Sequence, residues 1–79
     1  MAESRNGSAR VFAERLLQFR TRKGWSRREL AARMGVTDAA VGYWERGDGF
    51  PTIGLRPVLC KVLGVTAKDL HLPPYNADD

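Results

Sequence analysis

Apolar residues recur at helical spacing along the chain, in short stretches separated by glycines. In the first stretch Phe12, Leu16 and Phe19 are three or four residues apart, so they share one face of a helix expected to run from about Arg10 to Arg22. Each later stretch also ends at a glycine, the residue that most easily takes up the left-handed backbone of a helix terminus. The dividing glycines are Gly24, Gly35, Gly47 and Gly64. The pattern predicts an all-α chain of short helices.

The second and third stretches carry signals for where their helices begin and end. Ser26 and Glu29 have the spacing of a capping box, in which the serine accepts from a backbone N–H and the glutamate reaches back to the cap residue. The helix that follows should end at Gly35. Thr37 is suited to cap a third helix, from about Thr37 to Arg46. Two short helices joined around a glycine are therefore expected in the middle of the chain.

The last part of the domain should hold two more helices. The fourth contains Val58 and Leu63, and Gly54 and Pro57 stand near its start. Because proline is tolerated only in the first turn of a helix, this helix should begin late or bend there. Residues 66–70 support a fifth, short turn of helix.

A chain of 79 residues has room for one domain. Residues 1–8 are small and polar, and residues 73–79 carry two prolines and two acidic residues, so both ends are expected to be flexible. Residues 9–72 then form the folded part. A compact helical bundle suits so short a chain because its contacts are local.

Charge is unevenly distributed along the chain. Residues 1–33 hold nine Lys/Arg and three Asp/Glu (9 − 3 = +6), whereas residues 34–79 hold four and six (4 − 6 = −2). A basic half on a small protein favours a polyanionic partner such as DNA, RNA or an anionic membrane. The alternative is an ordinary solvated basic face.

Several classes of protein are disfavoured by the composition. The single cysteine, Cys60, allows no internal disulfide, and there is neither an apolar run of about 18 residues nor an apolar segment after Met1 to Arg5. We therefore expect a cytoplasmic protein without a membrane partner. No metal-ligand cluster, phosphate-binding glycine loop or nucleophile with a paired base is visible, so we expect no enzyme activity, no metal and no cofactor.

The centre of the chain has the spacing of a helix-turn-helix, the motif that places its second helix in the major groove of DNA. Packing two helices so steeply requires a small residue at their closest approach, a glycine in the turn and apolar residues on the inner side of the second helix. The residues at these offsets are Ala31, Gly35, Val41 and Trp44.

The stretch from Phe12 to Leu70 resembles the lambda repressor and Cro type of helix-turn-helix domain, also called the Xre family. The resemblance implies a compact five-helix bundle that binds duplex DNA, usually as a homodimer on a two-fold site, and we expect a sequence-specific transcriptional repressor. The resemblance is carried by Arg15-Leu16, Arg20, Lys23-Gly24-Trp25-Ser26, Glu29-Leu30-Ala31, Gly35-Val36-Thr37, Val41, Trp44-Glu45-Arg46-Gly47, Pro51 and Leu63-Gly64-Val65.

The resemblance also implies roles for individual residues. Arg20 and Glu45 match a pair that joins helices one and three and holds the recognition helix. Arg27 stands where the family commonly has a glutamine that contacts phosphate. Bases would be read by Thr37, Asp38, Ala39, Ala40 and Tyr43. Apart from the resemblance, Arg22, Lys23, Arg27 and Arg28 flank helix three and, with Ser26 and Arg46, are the expected phosphate contacts; the alternative is that the four basic residues only keep the protein soluble.

Two other functions stay open at this point. None of the expected base readers is an arginine, asparagine or glutamine, and the loop after helix three contains Asp48, so a protein-interaction module of the same fold, such as an antitoxin, is one alternative. A non-specific nucleoid-associated protein is the other. Asp38 also has a simpler interpretation, as a negative charge at the positive end of helix three. For a homodimer we expect self-contacts near helix four through Val65, Leu70 and Leu72.

Overall fold

Residues 2–73 fold into five α-helices and one 3₁₀ helix. A computed structural model describes the backbone of residues 2–73 and the side chains of residues 8–73. The helices are α1 (Ala2–Arg22), α2 (Arg27–Met34), α3 (Asp38–Glu45), a 3₁₀ helix (Ile53–Leu55), α4 (Arg56–Leu63) and α5 (Ala67–Leu70). No strand occurs in the described backbone, so the predicted all-α fold with five helices is confirmed.

The start of α1 differs from the expectation. The helix begins at Ala2 rather than near Arg10, so helical backbone covers residues 2–8, where we expected flexibility. No apolar stripe marks this part of the sequence, but once a helix is nucleated each added residue gains a backbone hydrogen bond without needing a partner surface. The division at residues 8 and 72 stays a prediction, and residues 74–79 of the expected tail lie outside the described residues.

The ends of α2 and α3 are determined by local side-chain chemistry. Ser26 Oγ accepts from the Glu29 N–H at 3.0 Å, and Thr37 Oγ1 accepts from the Ala40 N–H at 3.1 Å. The reciprocal half of the expected capping box is wrong, because the Glu29 carboxylate instead accepts from Arg33 Nε at 2.7 Å. An ion pair one helical turn away is the competing partner for that glutamate.

The two C-terminal helices begin as their sequences require. Pro57 lies in the first turn of α4, so the late start of this helix is confirmed, and Gly54 falls in the preceding 3₁₀ helix. At α5 the Thr66 and Asp69 side chains form a complete capping box. Each of these short helices therefore has its own start signal.

One apolar core joins all five α-helices. α1 packs on α3 and α5, α2 packs on α3 and α4, and α4 packs on α5. Val65 is half-buried against this core, so its expected contact between two copies stays a prediction, whereas Leu70 and Leu72 are completely buried and their expected contact is wrong. Their burial depends on α5 folding back onto α1, which their position near the chain end did not reveal. The completely buried large side chains are Phe12, Leu16, Leu30, Val41, Pro51, Leu59, Leu70 and Leu72.

Candidate nucleic-acid interface

The turn between α2 and α3 has the geometry that the motif requires. Gly35 takes a left-handed conformation (φ 75°), and the Val36 N–H donates to the Ala31 carbonyl at 2.9 Å. Ala31 is buried where the helices meet, and the inner side of α3 contributes Val41 and Trp44 to the core, with 0% and 3% exposure. These contacts hold α3 so that its opposite side faces outward.

The outer face of α3 carries most of the expected base-reading residues. Thr37, Asp38, Ala39 and Tyr43 are exposed. Ala40 is half-buried and packs against the core, so little of it remains on the outer face. The difference arises because Ala40 lies close to the inner side of a helix whose core positions are occupied by large side chains.

Arg20 and Glu45 form a bidentate ion pair between α1 and α3. Arg20 Nε donates to Glu45 Oε2 at 2.6 Å and Nη2 donates to Oε1 at 3.0 Å. The two side chains are only 12% and 2% exposed. Arg20 Nη1 also donates to the Trp25 carbonyl at 2.7 Å, so one guanidinium group ties together α1, the loop before α2 and the end of α3. Charge-assisted bidentate contacts of this kind are strong and directional.

Arg27 shares the same carboxylate, a contact that the sequence did not suggest. Its Nε donates to Glu45 Oε1 at 3.0 Å, while half of the side chain stays exposed. The contact arises because the turn brings the first residue of α2 beside the last residue of α3, a crossing that sequence spacing does not specify. Part of the hydrogen-bonding capacity of Arg27 is therefore used to link α2 to the end of α3.

Two guanidinium groups converge over Gly42 on α3. A methyl group built on Gly42 would lie 3.3 Å from Arg46 Nη1 and 3.5 Å from Arg27 Nη1. Arg46 is further oriented by Asp48, whose Oδ2 accepts from Arg46 Nε at 3.0 Å. One arginine thus begins α2 and the other directly follows α3, and together they present positive charge at one point of the α3 surface.

The other expected phosphate contacts lie apart from this pair. Arg28 is exposed and makes no ion pair or hydrogen bond with the residues that the structure describes. Arg22 lies over the Phe19 ring at 5.2 Å and Lys23 over the Trp25 ring at 5.6 Å. Cation–π contacts of this sort restrict exposed side chains without neutralising them. Ser26 is engaged as the cap of α2, which uses its oxygen and leaves its hydroxyl hydrogen for another acceptor.

Arg22 and Lys23 also line a shallow groove of about 380 Å³ between the end of α1 and the turn after α4. Phe19 and Leu63 supply its apolar lining. The groove is thus bounded by the ends of helices other than α3.

Cys60 has the environment of an unreactive thiol. Burial raises its pKa, and the negative charge of Asp69 raises it further, so the thiolate is disfavoured. Within the described range, no three His, Cys, Asp or Glu side chains come together as a metal site. Likewise, none of the described helices is long and apolar enough to cross a bilayer.

The packing of α2 and α3 around the Gly35 turn and the exposed outer face of α3 define a helix-turn-helix protein. A family described as a helix-turn-helix domain matches residues 11–72, and the chain belongs to this family. The chain is also similar to the HTH-type transcriptional activator BcrR of Enterococcus faecalis, with 34% identity over 59 residues. That match covers 75% of the chain and 29% of the relative's length. No solved structure matches the chain.

Proposed function

We propose that this protein is a sequence-specific regulator of transcription that binds duplex DNA with α3 in the major groove. The observation that carries the proposal is α3 itself, on which Asp38, Ala39 and Tyr43 are exposed and the guanidinium groups of Arg27 and Arg46 converge over Gly42. Candidate base contacts and phosphate contacts share one surface, as a helix in a groove requires. Membership of the helix-turn-helix family and the similarity to BcrR support this function.

The proposal extends to the lambda repressor and Cro type, the Xre family, and to a cytoplasmic homodimer on a two-fold site. The stretch from residue 12 to residue 70 resembles that family, and this resemblance supports the lambda repressor and Cro type. Because one such domain reads only a few base pairs, useful specificity in a genome calls for two copies. We propose repression, since a bound dimer excludes other proteins from its site. Activation, which the relative's name describes, is the alternative outcome.

Affinity would come from the cationic residues around α2 and α3. Arg27 and Arg46 are suited to contact one stretch of the DNA phosphate backbone, because their guanidinium groups meet over Gly42. Arg28 is the simplest phosphate ligand, since its charge is not shared with a carboxylate within the described part of the chain. Contacts to phosphate release condensed counterions, so each should contribute about 0.9 to the slope of log K against log salt. The proposed set is Arg22, Lys23, Ser26, Arg27, Arg28 and Arg46.

Specificity would come from few and small groups. Ala39 and the exposed part of Ala40 are suited to pack against thymine methyl groups, and the Asp38 carboxylate to accept from a cytosine amino group. Tyr43 and Thr37 supply hydroxyl groups, although the Thr37 oxygen already caps α3. With no bidentate arginine or amide among them, discrimination should be concentrated at few base pairs.

The test is selection of binding sites from a pool of random duplexes, followed by salt titrations on the selected duplex and on a random one. We expect one enriched two-fold sequence. Arg28→Ala should weaken binding to both duplexes about equally and reduce the salt slope by roughly 0.9 per contact. Lys68→Ala, which removes the same charge from an exposed position on α5, is the matched control and should leave the slope unchanged.

The outcomes separate the proposal from its alternatives. Binding without an enriched sequence would favour a nucleoid-associated role. Absence of binding at low salt would favour a protein-interaction module, for which Asp48 and the small residues of α3 are the motivating features. Loss of specificity in Arg28→Ala with an intact salt slope would refute the phosphate assignment of that residue.

A further inference from the structure

Gly49, in the loop after α3, lies directly against the ring of Tyr43. A methyl group built on Gly49 would be 2.7 Å from Tyr43 Oη, 2.8 Å from Cε2 and 3.0 Å from Cζ. Optimal carbon contacts are about 3.5–4.0 Å, so the ring occupies this place only because residue 49 has no side chain. The backbone itself does not demand glycine there, since Gly49 is not among the glycines with positive φ.

The loop around Gly49 is anchored on both sides. Before it, the Asp48 N–H donates to the Tyr43 carbonyl at 3.2 Å, as part of the C-terminal cap of α3. After it, the Phe50 ring packs on the buried Phe12 ring, with centroids 5.3 Å apart. The backbone at Gly49 is therefore not the part that would give way if a side chain were added.

The Tyr43 ring is the movable partner. It is 45% exposed, and its contacting atoms lie at the far end of a side chain that rotates about two bonds. A methyl group at residue 49 would displace the ring from the loop while leaving the loop in place. The position of the Tyr43 hydroxyl on the α3 surface thus depends on a residue six positions further along the chain.

We infer that Gly49 is a positioning residue for sequence recognition. Its missing side chain lets the Tyr43 ring rest on the loop, and this sets where the hydroxyl meets a base edge. Gly49 acts only through Tyr43. The inference rests on the proposed function, in which Tyr43 reads DNA, and a contact at one base pair is worth about 5- to 150-fold in discrimination.

The experiment compares Gly49→Ala with Gly54→Ala in full-length protein. Gly54 is the matched control, because a methyl group there meets nothing within 4 Å and its backbone is not left-handed. Both variants, the wild type and Tyr43→Ala are put through selection on random duplexes. We expect Gly49→Ala and Tyr43→Ala to lose preference at the same base pair, by about 5-fold or more. Gly54→Ala should select the wild-type sequence.

A measurement on the free protein tests the contact without DNA. The ring current of Tyr43 should shift the proton resonances of the Gly49 α-carbon from their positions in Tyr43→Ala, in which that shift is abolished. Melting of Gly49→Ala should resemble that of Gly54→Ala, since the ring yields. If Gly49→Ala instead unfolds easily, combining it with Tyr43→Ala must restore the melting temperature, and failure to do so would overturn the inference.

The two readouts keep failures distinguishable. Wild-type sequence preference in Gly49→Ala, with the ring displaced, would show that the position of Tyr43 does not matter for recognition and would overturn the inference. Gly49 α-proton resonances that are the same in the wild type and in Tyr43→Ala would overturn it as well. If the wild type enriches no sequence, the proposed function fails and the inference about recognition falls with it, while the resonances still report whether Gly49 holds the ring.

Discussion

At the scale of single residues, Glu45 organises the site. Its carboxylate is 2% exposed and accepts from Arg20 on one side and from Arg27 on the other. A buried charge is tolerated only when it is paired and hydrogen-bonded, so the two arginines meet a requirement that Glu45 creates. They differ in exposure, at 12% for Arg20 and 50% for Arg27. Arg20 is thus a scaffold residue, whereas Arg27 also has a side available to a phosphate.

Removing Arg20 should damage stability and binding together. Arg20→Ala leaves the buried Glu45 with only the half-exposed Arg27 and removes the hydrogen bond to the Trp25 carbonyl. Breaking a buried ion pair lowers the free energy of unfolding by about 3 kcal/mol or more. Because Arg27 still pairs with Glu45, the loss here should lie near that lower value. Thermal unfolding and titration of a selected duplex measure the two losses, and the preferred sequence should not change. The control, Arg27→Ala, should cost less stability, and equal melting temperatures of wild type and Arg20→Ala would contradict the assignment.

We expect Asp38 to act mainly by weakening binding to DNA of the wrong sequence. A carboxylate near phosphates is repelled unless a cytosine amino group or the positive end of α3 offsets it. Asp38→Asn should therefore raise affinity for random duplex and narrow the gap between selected and random duplex by about 1–3 kcal/mol. Competition titrations measure that gap. If affinity and preference both stay unchanged, Asp38 is only a helix-terminus residue, and our choice of base-reading residues is wrong.

At the scale of elements, local signals were predictable and remote ones were not. Ser26, Thr37 and Gly35 indicated the ends of α2 and α3 because a cap is made by residues three or four positions apart. The start of α1 was missed, since no cap or apolar stripe marks it. The contact of Arg27 with Glu45 depends on the crossing of two helices and could not be read from spacing.

The same distinction applies to the candidate site. The outward position of Asp38, Ala39 and Tyr43 follows from helical periodicity once Val41 and Trp44 are assigned to the core. Which side chains then meet above that face is a tertiary property. The packing of Tyr43 on Gly49 is one example, because the glycine carries no side chain whose pattern would mark it.

The cap of α5 should respond to pH. A hydrogen bond from the Thr66 backbone N–H holds the pKa of Asp69 below its ordinary value, and one with the Thr66 side chain lowers it further. A lowered pKa in the folded state means that the stabilisation is complete above the unfolded pKa of about 3.9 and is lost as the pH falls through the folded value. Asp69→Ala should therefore melt below the wild type at pH 7, and the difference should shrink at acidic pH.

Thermal melts of both proteins at each pH measure this difference. Thr66→Ala is the control: it loses a neutral hydroxyl cap, at about 1 kcal/mol, and most of that loss should persist at low pH. If the difference in melting temperature between wild type and Asp69→Ala is the same at pH 7 and at acidic pH, the Asp69 charge does not contribute to stability.

At the scale of the whole molecule, the fold gathers what the sequence separates. Arg27 belongs to the basic half of the chain and Arg46 to the acidic half, yet their guanidinium groups meet over one face of α3. The fold also removes candidates, since Leu70 and Leu72 are buried. The exposed apolar side chains on α4 and on the 3₁₀ helix before it are then Val58, at 36%, and Ile53, at 76%. An apolar contact between two copies of the chain must use exposed apolar side chains such as these.

We therefore expect the homodimer to form through Ile53 and Val58, which stand on the 3₁₀ helix and on α4, together with the half-buried Val65 that the sequence predicts. Two domains related by a two-fold axis would read half-sites about 10 base pairs apart, centre to centre. Ile53→Asp places a charge in such a contact and should weaken dimerisation on the selected duplex, while the melting temperature of the monomer stays near that of the wild type because the side chain is outside the core. Leu17→Asp is the control, an exposed leucine on α1 at 44% exposure. Equilibrium sedimentation with and without the duplex measures the association. A monomer in both conditions rules out the homodimer, whereas a dimer that Ile53→Asp leaves intact moves the interface to another surface.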